Sequence, residues 1–133
     1  MVTANGGRDG RLRSDDGVLE ATLSVPKEMG GAGGGHTNPE QLFAAGYAAC
    51  FEGAVRLVAK EAALEIGPET KVTARVGIGS RKAGGFELAV TLDVHDDGVA
   101  KEQAMELATT AHEKICPYSH ATRGNVDVQI HVI

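Results

Sequence analysis

The chain has 133 residues, enough for one domain of ordinary size, and 42% of them are hydrophobic, so a substantial core can form. Aromatic residues contribute only 4% and tryptophan is absent, so that core is built from Val, Leu, Ile and Ala. The net charge of -5, with no basic run interleaved with aromatics, argues against a nucleic-acid partner. No apolar run approaches the length of a bilayer span and the N-terminus MVTANGGRDG has no apolar signal core, so the expectation is a cytoplasmic protein with no membrane association.

In chain order, residues 2–5 read as the end of a strand. Gly6-Gly7-Arg8-Asp9-Gly10 is a turn, Arg11 to Ser14 a short strand, and Asp15-Asp16-Gly17 a hairpin turn. Val18 to Val25 alternates, with Leu19, Ala21, Leu23 and Val25 on one face, as a half-buried strand does. Pro26 ends it. The stretch GGAGGG at 30–35 lacks a Lys-Ser or Lys-Thr ending and a strand directly before a G-x-G-x-x-G, so a phosphate loop is rejected. A mobile loop is the preferred reading; ahead of a reactive residue, such a loop can serve as a lid.

The segment 38–62, NPEQLFAAGYAACFEGAVRLVAKEA, dominates the sequence. Asn38 is suited to cap it, Pro39 to the first helical position, and Glu40 to the positive end of the helix dipole. Gln41 makes a weak capping box with Asn38. Its first half is apolar on nearly every side, which predicts burial all round, in its own core or against a partner. Thr70 to Gly79 and Phe86 to His95 alternate and are joined by a turn, as an antiparallel hairpin, with Phe86, Leu88, Val90, Leu92 and Val94 inward. Val99 to Ile115 is a second helix, closed by Cys116-Pro117-Tyr118-Ser119 because the proline disfavours helical geometry at the cysteine. Asn125 to Val132 alternates once more.

The resulting order, β-β-β-α-β-β-α-β, with no repeat and no linker, predicts an α+β fold with antiparallel sheet and one domain over 1–133. A chain this short cannot wrap both sides of so apolar a helix. A homodimer packing these helices together would.

Two cysteines, Cys50 and Cys116, lie far apart with no CxxC, which disfavours a structural zinc site. A cysteine pair in a cytosolic chain is rarely a structural disulfide; pairs that bond there are transient and catalytic. A lone cysteine in an apolar helix is more often a small core hydrophobe than a nucleophile. Peroxide reduction by cysteine needs a thiolate, a fixed cation to hold it, a second thiol to trap the sulfenic acid, and a site shaped to the substrate. Two cysteines and an arginine can supply three of these.

GGRDG at 6–10, TNPEQLFAAGYAACF at 37–51 and CPYSHATRGNVDV at 116–128 together resemble the OsmC/Ohr family, in its organic hydroperoxide resistance branch. The resemblance covers nearly the whole chain, with three separated motifs in order. It implies an OsmC-like fold with antiparallel sheets wrapped around central helices in an intertwined homodimer. It implies a thiol peroxidase without cofactor that reduces organic hydroperoxides, lipid peroxides included, to alcohols. By position it makes Cys50 the peroxidatic cysteine, Cys116 the resolving cysteine that closes a Cys50–Cys116 disulfide, Arg8 the thiolate-activating arginine and Glu40 the acid that orients it. The implied reductant is a lipoylated protein with its dihydrolipoamide. Glu52 and His36 depart from the family pattern; Glu52, two residues past Cys50 on a helix, is expected to face elsewhere.

Glu40 and Cys50 stand about 15 Å apart along a straight helix, so either Arg8 bridges them or the helix bends near Gly46. Read alone, Arg8 is a solvated turn residue and Glu40 a first-turn acid. Phe43, Tyr47, Phe51 and Tyr118 read as core or as the wall of an apolar substrate pocket. The histidines at 36, 95, 112, 120 and 131 show no metal-binding spacing and read as surface or edge residues. The competing readings are a non-enzymatic dimeric module for apolar ligands, in which the thiols only pack, and a redox sensor.

Overall fold

A computed structural model describes residues 1–133. The chain divides into two compact units, Met1–Phe43 and Ala44–Ile133.

In the first unit, β1 (Val2–Asn5), β2 (Arg11–Ser14) and β3 (Glu20–Thr22) form an antiparallel sheet in the order β1-β2-β3. Asn5 pairs with Arg11, so residues 6–10 close the first hairpin. Only glycine fits at position 10: a Cβ there would lie 1.8 Å from the Asn5 carbonyl oxygen. Gly6, at φ 84°, turns the chain into a single 3-10 turn, Gly7–Asp9, that carries Arg8.

The strand expected over 18–25 shrinks to three residues. The Ser14 hydroxyl accepts the Leu19 N–H at 2.9 Å and Asp16 accepts the Val18 N–H at 3.0 Å, so side chains take donors that a longer ladder would use. Val18 and Leu19 are exposed in consequence, whereas Leu12 and Leu23 are buried. Beyond Thr22 the chain leaves the sheet: Leu23 donates to Gly10 O and Ser24 to Thr37 O. The glycine-rich loop is tied back by Gly31 N–H to Pro26 O (3.0 Å) and Gly33 N–H to Val25 O (3.1 Å). It rims an open depression of about 290 Å³ with Ser24, Lys27 and His36.

Helix α1 (Pro39–Glu61) begins where the capping pattern places it. Asn38 Oδ1 accepts the Gln41 N–H at 2.8 Å, while the Gln41 side chain bonds the Thr37 hydroxyl rather than completing a capping box. In the second unit its inner side contributes Tyr47, Phe51, Ala54, Val55, Val58 and Ala59 to the core. The chain's own core covers only one side of α1: Ala45, Ala49, Gly53 and Leu57 form an exposed apolar stripe at four-residue spacing. The expectation about apolar length also needs correcting. Helix α1 has 23 residues and a stretch of mean hydropathy 1.4, enough to cross a bilayer by length and composition alone. Alanines raise that mean, and core helices of soluble proteins meet the same test.

Strands β4 (Lys71–Ser80) and β5 (Phe86–His95) pair antiparallel over their full ten residues, as the alternation predicts. Val90, Leu92 and Val94 point into the core, but Phe86, at the strand's start, is 71% exposed instead of inward. The last strand, β6 (Asp127–Val132), joins β5 in parallel, so this sheet is mixed rather than antiparallel. A helical crossover between β5 and β6 is the physical reason, since parallel neighbours require a long connection. That crossover is also more elaborate than one helix. Helix α2 (Lys101–Thr110) passes into a π-helical turn, Ala111–Ile115, and Cys116 then caps a third helix, α3 (Pro117–Thr122). Pro117 stops the first helix and, with its fixed φ, starts the next.

Candidate active site

Arg8 and Glu40 meet in the first unit. Arg8 Nη1 and Nη2 donate to Glu40 Oε2 and Oε1 at 2.8 and 2.7 Å, a bidentate pair that fixes the guanidinium plane. The hydrogen-bonded guanidinium holds the Glu40 carboxyl below the usual range, and Glu40 in turn raises Arg8. The Arg8 side chain remains 36% exposed and that of Glu40 11%, so the acid is the buried, anchoring member.

Cys50 and Cys116 meet in the second unit. Both are free thiols, and the Cys116 Sγ–H donates to Cys50 Sγ at 3.9 Å. Cys116 is buried and Cys50 half-buried. Forming a bond of about 2.05 Å requires the sulfurs to close by about 1.9 Å. Burial pushes the Cys50 thiol up, and the neighbouring Cys116 adds to this; the Tyr118 backbone N–H, which bonds to the Cys50 sulfur, works the other way. The thiolate chemistry that the motif implies needs a cation.

Around this pair, Tyr47 and Phe51 are completely buried core residues, their rings 6.3 Å apart and edge-on. Neither offers a surface to a substrate in this chain. Tyr118 is 38% exposed, its ring 5.7 Å from that of Tyr47, and Phe43 is half-buried. Gly46 admits the Tyr118 ring against α1: a Cβ there would lie 2.8 Å from its hydroxyl. Glu52 pairs with Arg56 one turn along the helix, as expected of a residue facing away from Cys50. No group of three or more His, Cys, Asp and Glu side chains converges to hold a metal ion.

Sequence reasoning missed a polar chain behind the cysteines. His112, read as a surface or edge residue, is half-buried on the π-helical turn. Its Nδ1 lies 2.9 Å from Ser119 Oγ, which lies 2.9 Å from the Tyr47 hydroxyl, which lies 3.1 Å from Thr122 Oγ1. The Thr122 hydroxyl donates to Ser119 O at 3.2 Å. Arg123 Nη2 donates to the His112 and Glu113 carbonyls at 2.7 and 2.9 Å, capping the turn. A buried tyrosine hydroxyl requires a partner, so Tyr47 in the apolar half of α1 is the one residue of the sequence that could have indicated such a chain.

Residues 31–131 match the family described as OsmC-like protein. The organic hydroperoxide resistance protein of Xanthomonas axonopodis pv. citri is 52% identical over 97% of this chain and 89% of its own length. OhrB of Bacillus subtilis, an organic hydroperoxide resistance protein, is 51% identical over 97% of this chain and 93% of its own. Its crystal structure superposes with a TM-score of 0.91, covering 100% of this chain and 96% of that one at 49% identity. From the agreement of motifs, fold and sequence over nearly its full length, the chain belongs to the OsmC family, in its organic hydroperoxide resistance branch.

Proposed function

We propose that this protein is a cysteine-based peroxidase that reduces organic hydroperoxides, lipid hydroperoxides included, to alcohols. One observation carries the reading: two free thiols 66 residues apart in sequence stand with their sulfurs 3.9 Å from each other. The names of the relatives supply the substrate class. The Cys50 thiolate attacks the distal peroxide oxygen; the O–O bond breaks, the alkoxide takes a proton and leaves as the alcohol, and Cys50 becomes a sulfenic acid. The Cys116 thiol then condenses with it, forming the disulfide and releasing water. An external dithiol, for which dihydrolipoamide on a lipoylated protein is our assignment, restores both thiols by exchange.

To Arg8, held flat by Glu40, we assign the positive charge that stabilises the thiolate. This assignment answers the elevated pKa that burial imposes on Cys50. We further propose a homodimer, supported by the exposed stripe Ala45, Ala49, Gly53 and Leu57 and by the exposed Phe86. A contiguous exposed apolar face of this kind marks an interaction surface. A reducing compartment, the cytoplasm, suits a pair that must return to thiols on each cycle.

The test is consumption of cumene or tert-butyl hydroperoxide by purified protein with dihydrolipoamide. Turnover retained in full by Cys50→Ser would refute the mechanism. Intact mass after one equivalent of hydroperoxide separates enzyme from binding module: an enzyme loses two hydrogens, mapped to Cys50 and Cys116, and a binder is unchanged.

A further inference from the structure

We propose that His112 is a positioning residue for the resolving step, holding α3, and with it Cys116, against Cys50 through Ser119 and Tyr47. The inference rests on the peroxidase reading and adds a residue to it. The sulfurs sit on two segments, α1 and the junction of the π-helical turn with α3. Tyr47 precedes Cys50 by three residues on α1, and Ser119 follows Cys116 by three, so the 2.9 Å bond between their hydroxyls ties the two segments one helical turn from the thiols. His112 ends that tie at the other side, with Nδ1 2.9 Å from Ser119 Oγ.

The hydrogens can be placed. Thr122 donates to the Ser119 carbonyl, so its oxygen accepts from the Tyr47 hydroxyl. Tyr47 then accepts from the Ser119 hydroxyl, and Ser119 accepts from His112 Nδ1–H. Every link thus has one donor and one acceptor, provided that His112 is the Nδ1–H tautomer. Burial and the charge of Arg123 lower the pKa of His112, which favours the neutral ring. Ser119 is completely buried, so removing the ring takes away the donor to its hydroxyl within the protein. The π-helical turn brings His112 within reach of α3, and Arg123 pins that turn by two carbonyls. Such turns recur at functional sites.

The step it serves is balanced: Cys50–SOH and Cys116–SH give the disulfide and water. What the tie controls is the approach of the sulfurs from 3.9 Å.

The test mixes reduced protein with one equivalent of tert-butyl hydroperoxide and follows Cys50 oxidation and disulfide closure separately, with dimedone trapping the sulfenic acid. His112→Ala should leave the first oxidation within about twofold and slow closure about tenfold, the loss of one buried hydrogen bond. Ser119→Ala, which removes a single oxygen, should slow closure comparably and guards against a His112→Ala chain that fails to fold. His112→Asn, whose amide nitrogen falls near the Nδ1 position, should restore closure; His112→Gln should not. Nitrogen-15 spectra should show the Nδ1–H tautomer. Closure at the wild-type rate in folded His112→Ala or Ser119→Ala overturns the proposal, as does an Nε2–H tautomer or rescue by Gln alone. If wild-type protein forms no disulfide with the hydroperoxide, the peroxidase reading fails instead. Closure driven by diamide, which takes two electrons and two protons from the thiol pair, then makes the same comparison of variants.

Discussion

Replacing Cys116 by serine isolates the first half of the proposed cycle. In the native chain the Cys116 thiol is already close to Cys50, 3.9 Å away, and is itself buried. Closure needs about 1.9 Å of relative movement and no search. Well-oriented intramolecular groups reach effective molarities of about 10⁵ M or more, so an internal thiol already in contact outcompetes an external one at millimolar concentration. Cys116→Ser should therefore consume one equivalent of hydroperoxide at close to the native rate and then stall. Its intact mass should show one added oxygen, trappable by dimedone, where the native chain loses two hydrogens. With further peroxide the mass should climb by second and third oxygens as Cys50 over-oxidises. Multiple turnovers by Cys116→Ser at the native rate, with dihydrolipoamide as sole reductant, would refute the assignment of Cys116 as resolving thiol.

Arg8→Ala should move the Cys50 thiolate titration, followed by ultraviolet absorbance, to higher pH and lower peroxidase activity most below that midpoint; an unchanged titration removes Arg8 from thiolate activation. Glu40→Gln tests the anchor by stability: the Glu40 pKa is lowered by its hydrogen-bonded arginine, so the pair's contribution is full above the unfolded value of about 4.5 and is lost as pH falls through the folded one. With Arg8 36% exposed, denaturation at pH 7 should register less than about 1 kcal/mol, and wild type and variant should converge in acid. Asp96 behaves oppositely. It is 7% exposed, neither carboxylate oxygen has a hydrogen-bond partner, and burial raises its pKa. The folded state therefore binds this proton more tightly than the unfolded, so stability falls as pH rises from the unfolded value of about 3.9 through the folded one. Asp96→Asn should stabilise by about 1–3 kcal/mol at pH 8 and by much less at pH 4, measured by urea unfolding; an equal gain at both contradicts the burial argument. Gly10→Ala, whose methyl group meets the Asn5 carbonyl, should lower Tm by several degrees, on the order of 1–3 kcal/mol; an unchanged melting curve shows that the hairpin relaxes freely.

Local chemistry was legible wherever the deciding forces act within a few residues. Asn38, Pro39 and Glu40 mark the start of α1 because an orphan N–H, a missing N–H and a helix dipole are properties of one turn. The alternation over 71–80 and 86–95 marks strands because the pleat has a period of two. Val18 and Leu19 misled the same reasoning: their pattern continues the strand, but Ser14 and Asp16 take their donors. Phe86 was read inward by parity alone, yet parity assigns a face and says nothing of whether that face is covered at the strand's end.

By itself the sequence determined the family and marked the two cysteines on which the proposed chemistry rests. Motifs at 6–10, 37–51 and 116–128 single out Arg8, Glu40, Cys50 and Cys116 as the residues of the proposed reaction. Tertiary structure decided what surrounds them. It set the parallel entry of β6, because strand direction follows from the length and path of the intervening chain. It placed the π-helical turn and α3 where one helix was expected, and so joined His112, Ser119 and Tyr47, which are seven and then 72 residues apart. A local pattern carries the period of a helix or strand. The distance between two sulfurs, and the hydroxyls that hold them there, depends on how the whole chain returns on itself.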